Sequence, residues 1–290
     1  MDVKTAFLHS ELAETVFMDI PKGLHTDVSK DENGGRVVCR LIKSIYRLKQ
    51  SPRAWYGKIN KFFVDHGFHQ SEYDHSVYIH QIFKLILLLY VDDIVITSPR
   101  MEDITWIQSL LREEFEMTHL GPLTNFLGME IQRDLQTNIL LLSQGNYIQT
   151  ILERHGMASC MTVSTPADPH VRLVKTPLEQ QTDICYQQRY QVAVGSLMYA
   201  MIGTRPDIAY AISTVSQHSS NPGPSHWTAL LRIFRYVAGT PTLELTYGSG
   251  LCGGYTATDW GTGKIENPLA VMCFSLMERL SPGQARNTQA

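Results

Sequence analysis

The chain has 290 residues, of which 43% are hydrophobic and 18% charged, with a formal net charge of −3. That composition excludes a disordered or fibrous chain and supplies enough apolar mass for two or three domains. The longest apolar run, around Leu85 to Val91, is too short to span a bilayer. No secretory signal opens the chain, because Asp2 and Lys4 interrupt its start.

In chain order, Val3 to Leu8 is expected to form a strand. From Arg36 to Lys61 there are eight basic residues and no acidic one, interleaved with Tyr46, Trp55, Tyr56, Phe62 and Phe63. Such a stretch can neutralise phosphates and stack on bases or sugars, and it can equally be the solvated face of an amphipathic helix. Ser51 fits an N-cap, Pro52 the first helical position and Gly67 the C-terminal stop, with Trp55, Ile59, Phe62 and Phe63 on one apolar face. That assigns the aromatics to a core and leaves Lys49, Gln50 and Arg53, at the helix entrance, as candidates for a phosphate contact. His66, His69, His75 and His80 crowd the next stretch; with no Cys nearby they are expected to be solvated rather than zinc ligands.

Tyr90-Val91-Asp92-Asp93 follows, set between Phe83 to Leu89 and Ile94 to Ile96, and reads as strand, acidic tip, strand. Two adjacent carboxylates repel and resist burial unless something cationic sits nearby. An oxygen-only site of this kind suits Mg²⁺ or Mn²⁺. A solvated tip that blocks edge pairing explains these four residues as well. A helix is expected at Ile104 to Phe115, strands at Phe126 to Gln132 and Ile139 to Leu142, and a helix from Tyr147 to about Gly156. Thr162 to Gln188, polar and Pro-bearing, reads as a linker or long loop and as a candidate domain boundary. Two further helices carry Ile208, Ala211, Ile212 and Val215, then Trp227, Leu230, Leu231 and Phe234, the last opened by Ser225 and closed by Gly239. The five cysteines are odd in number, widely spaced and without a CxxC pair, which predicts reduced thiols in an intracellular protein.

An ordered set of motifs carries a family resemblance. Asp2-Val3-Lys4-Thr5-Ala6-Phe7-Leu8, Leu48-Lys49-Gln50-Ser51-Pro52-Arg53-Ala54-Trp55-Tyr56 and Tyr90-Val91-Asp92-Asp93 come first. Phe126-Leu127-Gly128, Gly195-Ser196-Leu197-Met198-Tyr199 and Thr204-Arg205-Pro206-Asp207-Ile208-Ala209-Tyr210-Ala211 follow. Together they resemble the reverse transcriptase of Ty1/copia-type LTR retrotransposons over nearly the whole chain. The resemblance implies an α+β fold: a polymerase palm over residues 1–132, a thumb/connection region over 133–248 and an incomplete RNase H-like segment over 249–290. It implies RNA-directed DNA polymerase activity with two Mg²⁺ (or Mn²⁺) ions held by Asp2, Asp92 and Asp93, acting on a template-primer and dNTPs. By the same resemblance Phe7 sits under the sugar and disfavours a 2′-hydroxyl, while Lys49, Gln50, Ser51 and Arg53 form the segment that meets nucleotide and template.

The departures bear on activity. The family's polymerase begins well upstream with a fingers region, and this chain opens at the first catalytic Asp, so fingers are expected to be absent. Arg47 stands where the family usually has Gly, which permits close backbone approach. Ala257 stands where the RNase H segment usually has its first metal-binding Asp, and beyond Leu276 the resemblance stops. An impaired or inactive enzyme is the expectation, with a non-catalytic remnant that binds nucleic acid weakly as the alternative.

Overall fold

The computed structural model describes residues 1–24, 37–177, 179 and 182–248, and the backbone of strands Tyr255–Thr258 and Ala270–Cys273. Helices combine with antiparallel strands in an α+β arrangement, and the chain divides into two compact units, Met1–Leu123 and Thr124–Ala290. None of the helices among the described residues is long and apolar enough to cross a membrane.

The first unit contains β1 (Asp2–Val3), β2 (Glu11–Asp19), β3 (Val38–Lys43), α1 (Ser51–Asp65), β4 (His69–Gln70) and β5 (Val77–His80). It continues with β6 (Leu85–Tyr90), β7 (Asp93–Thr97), α2 (Met101–Glu114) and β8 (Met117–Thr118). Its main sheet runs β4-β5-β6-β7-β1-β8, and β2 pairs with β3 in a separate ribbon. Along β6 the side chains alternate: Leu85, Leu87 and Leu89 are buried, while Ile86 and Leu88 are not. The buried set forms one core with Ile94, with Trp55, Ile59, Phe62 and Phe63 of α1, and with Ile107 and Leu111 of α2. The apolar stripe read from the sequence is therefore the face that α1 presents to the sheet.

The strand expected over Val3 to Leu8 stops after two residues. Thr5 adopts a left-handed conformation (φ 52°) and Ala6–His9 form a 3-10 turn, because β8, the neighbour on that side, is itself only two residues long. Hydroxyls of Ser10 and Ser44 donate to the Phe7 carbonyl and fix the turn. At α1 the cap position is Gln50 rather than Ser51, whose hydroxyl donates instead to the Ile45 carbonyl. Gly67 ends the helix as expected, at φ 84°, with the Phe68 N–H donated to the Phe63 carbonyl.

The second unit holds β9 (Asn125–Phe126), β10 (Met129–Asp134), β11 (Ile139–Ser143), α3 (Gly145–Arg154) and α4 (Ile184–Gly203). After them come α5 (Ala209–Ser216), α6 (Pro224–Gly239), β12 (Leu245–Tyr247), β13 (Tyr255–Thr258) and β14 (Ala270–Cys273). The sheet order is β12-β11-β10-β9, and β13 pairs with β14 alone. The single strand expected over Phe126 to Gln132 is broken into β9 and β10 by a turn at Leu127 (φ 49°) and Gly128 (φ 74°). The first unit ends at Leu123, so β10 lies whole in the second. The RNase H-like stretch lies largely outside the described residues.

The domain boundary expected within Thr162 to Gln188 is not there. Its last residues begin α4, and the rest is tied to other parts of the same unit. Arg232 donates to the Thr165 carbonyl, and the Thr182 N–H donates to Asn221. The twenty-residue helix α4 was invisible to periodicity because its apolar side chains surround the axis. Its Tyr190, Ala193, Val194 and Leu197 share a core with Ile148, Ile212, Leu230 and Phe234. The last helix opens at Gly223 and Pro224, two residues before the expected Ser225.

Arg205 is fully buried, with a forked pair of hydrogen bonds to Asp207 at 3.0 and 2.8 Å and two more to Thr240. Its guanidinium also lies over the Tyr236 ring. A buried charge left without its partner is costly. Asp207→Asn should therefore destabilise the second unit by about 3 kcal/mol, read as a fall in the urea midpoint at unchanged slope.

Burial also lowers the imidazole pKa values of His155, His218 and His226, with His226 and Lys175 adding to the effect at His218. The fold keeps these rings neutral while the unfolded chain protonates them near its ordinary imidazole pKa of about 6.5. Their contribution is complete above that pH and is lost as pH falls through it. Thermal melts should give a lower midpoint at about pH 5.5 than at about pH 7.5, and equal midpoints would count against this linkage.

Candidate active site

Pairing of Leu89 with Ile94 and of Tyr90 with Asp93 leaves Val91 and Asp92 as a two-residue turn, as the strand–tip–strand pattern requires. Val91 lies at φ 57°, a left-handed conformation that a β-branched residue resists. Such strain costs on the order of 1–3 kcal/mol and persists only where neighbours hold it. Here two outside donors hold the turn. The Val3 N–H donates to the Asp92 carbonyl at 2.8 Å, and the Trp55 indole N–H donates to the Val91 carbonyl at 2.6 Å.

Asp2 reaches the hairpin because β1 inserts between β7 and β8. In that register Asp2 lies opposite Asp93 on one side and Thr118 on the other. The Ile94 N–H donates to the Met1 carbonyl, and the Met1 ammonium donates to the Ile94 carbonyl, each at 2.8 Å. Residues distant in sequence thus become cross-strand neighbours. Asp92 and Asp93 are half-buried, as is Asp2. The Asp93 carboxyl is pushed above the usual carboxylate range, first by burial and then by the charges of Asp92 and Asp2. The Met1 ammonium opposes that rise.

Three carboxylates and no sulfur or imidazole donor make a set that fits a hard divalent cation. Among the described residues no three His, Cys, Asp or Glu side chains already converge as ligands. The like charges that raise the Asp93 pKa also oppose such convergence.

Phe7 is brought to the same place. With Pro52, Trp55, Tyr56, Leu89 and Val91 it lines a cavity of about 270 Å³ beside the hairpin, and its ring packs edge-on against Tyr46 at 4.8 Å. Lys49 and Arg53 are exposed at the start of α1, and Gln50 is half-buried there. Ser51 is fully buried and its hydroxyl is turned inward to Ile45, so it shapes the loop rather than facing solvent. Arg47 adopts φ 72°, the backbone region that favours Gly.

Two residues of α1 make contacts that the sequence did not indicate. Trp55 was legible only as core, since nothing in a sequence marks where an indole N–H points. Lys58 donates to the His9 carbonyl at 3.1 Å, pairs with Glu114 at 3.4 Å and lies over the Phe115 ring. The histidine cluster does not assemble. His69 and His75 are exposed as expected, but His80 is buried against Phe68, Phe83 and Trp106, which corrects its assignment to solvent.

Comparison with known proteins shows the family. The family model for reverse transcriptase (RNA-dependent DNA polymerase) matches residues 1–169. The retrovirus-related Pol polyprotein from transposon TNT 1-94 of Nicotiana tabacum is 40% identical over 276 residues, covering 92% of this chain and 20% of that protein. The corresponding polyprotein from transposon RE2 of Arabidopsis thaliana is 37% identical over 265 residues, covering 90% and 17%. A transposon Ty5-1 protein of Saccharomyces cerevisiae is 29% identical over 252 residues, covering 86% and 79%. The chain thus spans a fifth or less of the plant polyproteins it matches. No solved structure matches it significantly. The chain belongs to the reverse transcriptase (RNA-dependent DNA polymerase) family, and its relatives are Pol polyproteins of Ty1/copia-type retrotransposons.

Proposed function

We propose that this chain carries the primer-extension site of a retrotransposon RNA-directed DNA polymerase, in a form with impaired activity. In this reading residues 1–132 are the palm, 133–248 the thumb/connection region and 249–290 an RNase H-like segment. The observation that carries it is the placement of β1 between β7 and β8, which sets Asp2 opposite Asp93 and beside the Asp92 turn. Its partners would be an RNA or DNA template-primer and dNTPs. The free thiols of Cys39, Cys160 and Cys185 support an intracellular setting.

Asp2, Asp92 and Asp93 would hold two Mg²⁺ or Mn²⁺ ions, which supply charge neutralisation for phosphoryl transfer. The Phe7 ring, fixed by Tyr46 and by the hydroxyls on its carbonyl, would pack under the incoming sugar and leave little room for a 2′-hydroxyl. Lys49 and Arg53 would neutralise phosphates at the α1 entrance, with Gln50 beside them and Ser51 holding the loop in shape.

Arg47 supports the impaired form. Its left-handed backbone keeps the path a Gly would take, but its side chain adds bulk beside the entrance. The same observation favours the alternative, a non-catalytic remnant that still binds nucleic acid through Arg40, Lys43, Lys49 and Arg53, all exposed.

The isolated chain should show little Mg²⁺- or Mn²⁺-dependent extension of a primer on poly(rA). Arg47→Gly should raise that extension about tenfold, and Asp92→Asn should abolish what remains. Robust extension by the unaltered chain would overturn the impairment, and no gain from Arg47→Gly would clear Arg47 as its cause. In gel-shift titrations Lys49→Ala and Arg53→Ala should each weaken binding regardless of sequence and flatten the log–log salt slope by about one. A shift that does not depend on these residues would remove them from the contact.

A further inference from the structure

We propose that Trp55 is a positioning residue for the acidic hairpin: its indole N–H holds the strained turn that carries Asp92 and Asp93 against β1. The carbonyls of a two-residue turn have no ladder partner of their own. One of them, on Asp92, is taken by the Val3 N–H, directly after Asp2. The other, on Val91, is taken by Trp55 from the second turn of α1. The two bonds hold the turn from different elements, and without the second only the sheet pairings to β6 and β1 would restrain a Val at φ 57°.

The ring is anchored as well as the N–H. Trp55 is 2% exposed and packs edge-on against Phe115 at 5.3 Å. Phe115 leads directly into β8, whose Met117 and Thr118 pair with Val3 and Asp2. One side chain therefore touches the apex of the hairpin and the chain segment that flanks Asp2 on its other side. A phenyl ring would fill much of the same space, so packing alone does not require Trp. What only the indole supplies is a buried donor aimed at the hairpin, and a buried donor of that kind needs its acceptor.

The metal-dependent part of this inference rests on the polymerase reading above; the backbone-positioning part does not. Hydrogen exchange at the Val3 and Ile94 amides reports how firmly β1 holds the hairpin, with no metal present. Trp55→Phe should speed exchange at Val3 about tenfold and raise the Mn²⁺ dissociation constant, followed by the free-Mn²⁺ EPR signal, by about tenfold. Trp106→Phe, in the same core, should change neither. Benzothienylalanine at position 55, isosteric with Trp but lacking the N–H, should reproduce the effects of Trp55→Phe even if the smaller ring loosens the core.

Unchanged Val3 exchange in the benzothienylalanine protein would overturn the proposal. So would an equal acceleration in Trp106→Phe, which would make the effect general loosening. If the unaltered chain takes up no Mn²⁺, the metal reading of the carboxylates fails and the exchange measurement alone decides the role of Trp55.

Discussion

The acidic cluster depends on two residues of strand, Asp2 and Val3, held between β7 and β8 by backbone hydrogen bonds to their neighbours on the hairpin. Their insertion sets Asp2 opposite Asp93 against the repulsion of like charges, which is visible in the raised pKa of Asp93. The opposing energy is supplied by a core in which one face of the sheet packs against α1 and α2. The carboxylates are thus held together by burial elsewhere in the same unit.

Left-handed backbone recurs beside the hairpin and before α1, at Val91 next to the cavity and at Arg47. At Val91 the surroundings hold the strain with a buried indole and a strand amide. At Arg47 the conformation is one that Gly would adopt freely, so the backbone path and the residue on it point to different requirements. The second unit solves a different problem, since its buried Arg205 is neutralised within the same motif by Asp207 and completed by Thr240 at the end of α6.

Much of this fold was legible where one period dominated. The apolar stripe of α1 and the Gly67 stop follow from the 3.6-residue repeat and from the freedom of Gly at positive φ, and β6 was legible as an apolar run whose alternating burial only the sheet sets. The reading failed where partners outside the segment decided. Val3 to Leu8 lost its strand because β8 pairs with only two residues. The stretch from Thr162 resembled a linker or long loop because its anchors, Arg232 and Asn221, lie far along the chain. The helix α4 gave no stripe because it is apolar around its axis.

At the site, the sequence by itself determined the residue types and the family: adjacent acids between two apolar strands, a basic helix entrance, and an ordered set of motifs. It could not say which carboxylate faces which, that Ser51 turns inward while Lys49 and Arg53 stay out, or that Trp55 reaches the hairpin. Those were decided by tertiary structure, because cross-strand register and the direction of a single buried donor depend on elements that meet only when the sheet and α1 pack together.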